Sequence, residues 1–110
     1  MNYLAGIPGH LTQKIDRIPM KPGVYQMKDI SGNIIYIGKS KTLRTRVRSY
    51  FTTEHEIKKL KRLVLNIADI DFIVTDTHME ARILECELIK KLKPMYNVQF
   101  KNDARYKYIK

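Results

Sequence analysis

Gly23-Val24-Tyr25-Gln26-Met27-Lys28-Asp29-Ile30-Ser31-Gly32-Asn33-Ile34-Ile35-Tyr36-Ile37-Gly38 is the stretch from which the fold can be read. Val24 to Lys28 and Ile34 to Gly38 read as two strands. Between them, Asp29 to Asn33 is rich in turn formers, so the pair reads as a β-hairpin. Register then decides where the two tyrosines point. A tight loop at Ile30-Ser31 sets Tyr25 opposite Tyr36, and one at Ser31-Gly32 sets Tyr25 opposite Gly38. Both registers keep the tyrosines on one face of the sheet, whereas a slip of one residue separates them, because side chains alternate along a strand. Tyrosines that share a face most often simply pack.

The rest of the chain follows from this hairpin. Upstream, Leu11, Ile15 and Ile18 have helical spacing, which predicts a short helix before Pro19; residues 1–9 look loosely structured. Downstream, Thr42 to Phe51 reads as a helix with Leu43, Val47, Tyr50 and Phe51 on one face. Arg46 precedes Tyr50 by one helical turn, so the two side chains are neighbours. Ile57 to Ala68 reads as a second helix, with Leu60, Val64 and Ile67 or Ala68 inward. Ile70, Phe72 and Val74 alternate with Asp71, Ile73 and Thr75, the pattern of a third strand. Thr77-His78-Met79-Glu80 has the spacing of a capping box and opens a third helix, which runs to about Lys93 and stops before Pro94. From Met95 onward the chain reads as a polar, basic tail. The order β-hairpin, helix, helix, strand, helix gives a small α/β (α+β) domain, a sheet covered by helices.

The charge balance narrows the function classes. Lys and Arg number 21 against 11 Asp and Glu, a net charge of +10. Lys39, Lys41, Arg44, Arg46 and Arg48 form one acid-free cluster, Lys58, Lys59, Lys61 and Arg62 a second, and Lys90 to Lys110 a third. Such clustering points to a polyanion partner, although the second is also what a solvated helix face looks like. The sequence contains no Walker loop and no Gly-x-Gly-x-x-Gly, so nucleotide-cofactor chemistry has no support. His10, His55 and His78 are dispersed and read as surface residues, and no His or Cys pair has zinc-ligand spacing. Cys86 is the only cysteine and reads as a small packing residue. With no internal disulfide, no long apolar run and no signal-peptide pattern, a cytoplasmic protein is expected.

One carboxylate is out of place. At about 100° per residue, Glu85 falls between Leu92 and Ile89 in the apolar arc of the third helix, whereas Glu80 and Glu87 fall outside it. An inward carboxylate is costly unless it is compensated by Arg or Lys, by hydrogen bonds or by a metal ion. A structural ion pair and a metal or catalytic carboxylate are both compatible with that position. Lys39 and Arg46 are candidate neighbours under either reading.

Further motifs join these. Gly23-Val24-Tyr25 and Tyr36-Ile37-Gly38 resemble the paired tripeptides of the GIY-YIG nucleases. Residues 36–51, Phe72-Ile-Val-Thr75, Glu80-Ala-Arg-Ile-Leu-Glu85, Leu88-Ile-Lys-Lys91 and Pro94-Met-Tyr-Asn-Val98 are similar, in order, to the UvrC-type branch of that family. The resemblance covers about residues 18–110, ahead of which residues 1–17 form an extension with a short helix. It implies a three-stranded, mainly antiparallel sheet covered by helices. It also implies a divalent-metal-dependent endonuclease that nicks one DNA strand. In the UvrC-type branch this is the 3′-side incision of nucleotide excision repair, with damaged duplex DNA and UvrB as partners.

The same resemblance implies residue roles. Tyr25 would help activate the attacking water, and Tyr36 and Gly38, followed by Lys39, would form the second tripeptide's part of the site. Arg46 would hold the phosphate, Tyr50 would complete the pocket, and Glu85 would bind one Mg²⁺ or Mn²⁺. Asn97 would support the site, and Lys41, Arg44 and Arg48 would contact DNA. The UvrC-type segments expected beyond this domain, a second nuclease half and a helix-hairpin-helix region, are not in the sequence, so it reads as an excised domain or a free-standing relative. The alternatives are a free-standing GIY-YIG nuclease acting on other DNA structures, and a basic nucleic-acid-binding module without catalysis.

Overall fold

Of the two registers, the hairpin adopts the one that sets Tyr25 opposite Gly38. The computed structural model describes residues 9–52 and 58–101. Within them the elements are α1 (Gly9–Arg17), β1 (Gly23–Lys28), β2 (Ile34–Ser40), α2 (Leu43–Thr52), α3 (Lys58–Asn66), β3 (Asp69–Val74), α4 (His78–Leu92) and α5 (Met95–Lys101). The strands form one sheet in the order β2-β1-β3, antiparallel at both pairings.

The route to that register is indirect. In the loop, the Asp29 N–H donates to the Asn33 carbonyl and the Gly32 N–H to the Asp29 carbonyl. The Asp29 carboxylate also accepts from the Ser31 and Asn33 N–H groups, and Gly32 takes a φ of +85°. This loop closes the hairpin with Lys28 opposite Ile34. Carried straight on, that pairing would put Tyr36 opposite Gln26, on the other face from Tyr25. Instead Met27 pairs with Tyr36, and Ile35 is left over as a β-bulge. Ile35 and Tyr36 both enter the main core, while Ile34 and Ile37 pack on the opposite face.

The main core lies on the tyrosine face of the sheet. It gathers Leu11 and Ile15 of α1, Leu43, Val47 and Phe51 of α2, Leu63 of α3, Met27, Ile35 and Ile70 of the strands, and Phe100 of α5. Each fully buried aliphatic side chain contributes about 1.5–3 kcal/mol relative to exposure. The opposite face is covered by α4, whose Ala81, Leu84, Leu88 and Ile89 pack against Val24 and Ile37. Thr77 caps α4 in extended conformation and accepts the Glu80 N–H at 3.1 Å. Lys93, left-handed at φ 44°, closes its other end by donating to the Ile89 carbonyl.

The structure corrects four expectations. The polar tail from Met95 is in its first part a helix, α5, with Tyr96 and Phe100 buried one turn apart. Pro94, read as a stop, also starts this helix, because a missing N–H costs nothing there, and its carbonyl accepts from Val98. In α3 the fully buried residue is Leu63, with Leu60 and Val64 at its margin. The helix ends at Asn66, one residue before Ile67, which is nonetheless buried in the main core as expected; the Ala68 N–H donates to the Lys28 carbonyl. Residue Ile57, expected to start that helix, lies outside the described residues. Cys86 is exposed rather than packed, and His78, expected at the surface, is half-buried. No helix among the described residues is long and apolar enough to cross a membrane.

Two predictions follow from these contacts. A Cβ at Gly38 would lie 2.2 Å from Cζ and Oη of Tyr25, whose ring occupies that space. Gly38→Ala is therefore expected to destabilise by about 1–3 kcal/mol in urea unfolding; an unchanged midpoint would show that the ring is not held there. At the β3 edge, Lys14 bonds Asp69 at 2.7 Å and Lys28 bonds Asp71 at 2.5 Å. Hydrogen bonds from Lys14 and from Lys28 hold the Asp69 and Asp71 carboxyls, respectively, below the usual range. Lowered carboxyl values stabilise above the ordinary value of about 4, and that contribution is lost as the pH falls through the folded values. Lys14→Met is expected to cost about 0.5 kcal/mol at neutral pH, a difference that closes in acid. Thermal melts across pH measure it.

Candidate active site

Three phenols converge on the main-core face. Tyr25 comes from β1, Tyr36 from β2 and Tyr50 from α2, and all three are buried. The ring centroids of Tyr25 and Tyr50 are 5.9 Å apart, and Tyr36 lies 6.3 Å from each. The hydroxyls of Tyr25 and Tyr50 share a hydrogen bond of 2.7 Å. Phe100 packs on Tyr36 with centroids 5.6 Å apart. The Phe100 contribution was not read from the sequence; its signal was the one-turn spacing from Tyr96.

Arg46 stands at the mouth of this cluster. One turn before Tyr50, it is exposed while the phenols are buried, and its guanidinium carbon lies 5.1 Å from the Tyr50 ring centroid. Partial burial pulls the guanidinium downward, but the Tyr50, Tyr25 and Tyr36 phenols outweigh it and the net shift is upward. Burial pushes the Tyr25 phenol well above its ordinary value, and Tyr50 adds to the shift; Arg46 opposes it without winning. In the resting domain Tyr25 is therefore a neutral phenol, able to donate and accept hydrogen bonds.

Glu85 and Lys39 form a second group. Lys39 pairs across the strands with Val24, which places it on the face covered by α4. Its Nζ lies 3.5 Å from Oε1 of Glu85, whose side chain is 20% exposed. Of the two candidate partners for the inward carboxylate, the structure supplies Lys39. Among the described residues no cluster of three His, Cys, Asp or Glu side chains could enclose a metal ion. A lone, partly buried carboxylate with solvent access does not make a closed zinc-type site. It does suit Mg²⁺ or Mn²⁺, which keeps several waters and needs one or two carboxylates.

Asn97 joins the edge of β2. Its Oδ1 accepts the Ile37 N–H at 2.8 Å and its Nδ2 donates to the Ile37 carbonyl at 2.9 Å. The side-chain amide thus replaces one rung of a neighbouring strand and fixes the Tyr36-Ile37-Gly38 backbone from outside. The DNA-contact candidates are less uniform. Lys41 is exposed. Arg44 is half-buried, and its Nε donates to the Ile18 carbonyl at 2.6 Å. Arg48 is exposed, 3.7 Å from Asp16. Arg44 and Arg48 line an open groove of about 420 Å³ with Met20, Thr45, Ser49 and Thr52. That groove lies on the side of α2 away from the phenols.

Residues 21–98 match the UvrC-like GIY-YIG domain. UvrABC system protein C of Caldanaerobacter subterraneus subsp. tengcongensis is 52% identical over 101 residues, which are 91% of this chain and 16% of that protein. The protein of the same name from Thermoanaerobacter pseudethanolicus gives the same figures. The chain thus spans about one-sixth of the length of these relatives. Among solved structures, the GIY-YIG N-terminal endonuclease domain of UvrC from Thermotoga maritima superposes with a TM-score of 0.72 at 39% identity, covering 82% of this chain and 98% of that one. That domain was solved with magnesium, its catalytic divalent cation. Variants of it with single Tyr→Phe or Asn→Ala substitutions also hold the cation. By residues matched, identity and superposition alike, the chain belongs to the family of UvrC-like GIY-YIG nuclease domains.

Proposed function

We propose that this domain nicks one strand of DNA by hydrolysing a phosphodiester bond with the help of one divalent cation, Mg²⁺ or Mn²⁺. The observation that carries the reading is Glu85, an inward carboxylate compensated by one lysine at 3.5 Å and left open to solvent. On the other face of the same strand pair, Arg46 lies over buried phenols. Hydrolysis needs an attacking water, neutralisation of the phosphate and relief of the leaving oxygen.

Each part of that need has a matching side chain. Arg46 is the exposed cation of the phenol cluster and would hold the phosphate through paired N–H donors. Tyr25 and Tyr50, joined by their hydroxyls, would orient the attacking water. Because burial holds Tyr25 neutral, it would act as a hydrogen-bonding group toward that water, with Arg46 opposing the upward shift of its phenol. Tyr36 and Gly38 would shape the wall of the pocket, and Asn97 would keep that wall in register. Glu85 would hold the cation, with Lys39 close by. When bound, the cation adds positive charge at the phosphate and acidifies the attacking water. Lys41, Arg44 and Arg48 would meet neighbouring phosphates, which makes binding salt-sensitive.

Kinship with a longer protein suggests the setting. In it the domain would make the 3′-side incision of nucleotide excision repair, in the cytoplasm, on damaged duplex, with UvrB as partner. Plasmid nicking by the purified chain in Mg²⁺ or Mn²⁺ tests the chemistry. Glu85→Gln and Arg46→Ala are each expected to lower the rate by at least about 100-fold with unchanged circular dichroism. Undiminished nicking by Glu85→Gln would overturn the role of Glu85. Salt-sensitive DNA binding without nicking in either metal would favour a binding module. Nicking of undamaged branched duplexes in preference to damaged ones would favour a free-standing nuclease.

A further inference from the structure

We infer that Lys39 is the counter-ion of the cation-free site and gives way when a divalent cation arrives. The inference rests on the reading of Glu85 as the cation's ligand and says how that ligand is kept ready. Two compensators for an inward carboxylate are compatible with its place on α4, a basic side chain or a metal ion, and the geometry lets one replace the other. The Lys39 Nζ to Glu85 Oε1 distance is 3.5 Å, longer than the ~2.8 Å of a close charged hydrogen bond. The lysine therefore offsets the charge without gripping the carboxylate. Its side chain is 35% exposed and that of Glu85 is 20% exposed, so the flexible stem can withdraw toward water while the carboxylate stays beneath.

Exchange costs the site little. Without Lys39, a half-buried carboxylate would be left uncompensated until a cation bound. With an arginine, a two-pronged grip would be harder to displace. A single ammonium from the edge strand neutralises the carboxylate and leaves its second oxygen to another ligand. One positive charge thus leaves the protein's interior ion pair as the cation enters.

The test measures cation binding without DNA. Mn²⁺ affinity is followed by electron paramagnetic resonance on the 110-residue chain and on Lys39→Met, Lys90→Met and Glu85→Gln. Thermal melting is recorded with and without the ion. Lys39→Met is expected to bind Mn²⁺ about three- to tenfold more tightly, as removal of a competing ion pair requires. It is also expected to melt lower than the parent without the ion, and to gain more than the parent on adding it. Lys90→Met removes an exposed charge from α4 and is expected to leave the affinity unchanged. Equal tightening in Lys90→Met would reduce the effect to the general field and overturn the exchange. Unchanged or weaker binding in Lys39→Met, with binding lost in Glu85→Gln, would also overturn it while sparing Glu85. Retained binding in Glu85→Gln would instead sink the underlying assignment.

Discussion

The ring of Tyr25 fills the space that a side chain at position 38 would occupy. This one steric relation fixes much else. It requires glycine at Gly38, and it requires the two strands to pair so that these residues face each other. It also holds the Tyr25 hydroxyl at the depth where Tyr50, from a different element, meets it at 2.7 Å. Tyr50 in turn lies one helical turn from Arg46, so the place of the guanidinium is set by the same contact.

The sheet divides the labour. Its main-core face carries the phenols and Arg46, and its other face carries Lys39 against Glu85 of α4. Both groups depend on β2, which lies at the edge of the sheet and among the described residues has no strand neighbour on its outer side. Asn97 supplies that neighbour with one amide. Because α5 also puts Tyr96 and Phe100 into the core, the amide is anchored at its own end. A short helix thus steadies an edge on which both halves of the site rely.

Local signals carried most of the fold. The hairpin, the amphipathic α2 and the capped α4 each have a periodicity or a turn chemistry that acts over a few residues, and each formed where expected. Glu85 was legible for the same reason, since an apolar helix face can be drawn from sequence alone. The α5 helix was not, because its apolar content is one pair of residues in a basic run, and tertiary packing of Tyr96 and Phe100 supplies what local propensity does not. The choice of Lys39 over Arg46 as partner of Glu85 was equally out of reach. It depends on which face of β2 each residue occupies, and therefore on the register. Cys86 was expected to pack because it is a small apolar residue, but it lies outside the apolar arc of α4 and is exposed.

The bulge at Ile35 separates the fortunes of the loop from those of the pocket. The loop from Asp29 to Asn33 takes the closure its own hydrogen bonds prefer, and the parity error this creates is corrected one residue into β2. Loop sequence is therefore free to drift, provided its ends meet. The bulge is not. Were Ile35 to pair in regular succession, Tyr36 would fall opposite Gln26 and exchange faces with Ile37. In the language of inheritance, deletion of the Ile35 codon is a change of decoration, because Tyr36 then follows Ile34 directly into the place opposite Met27, whereas the same deletion at Ile37 would carry Gly38 away from the Tyr25 ring.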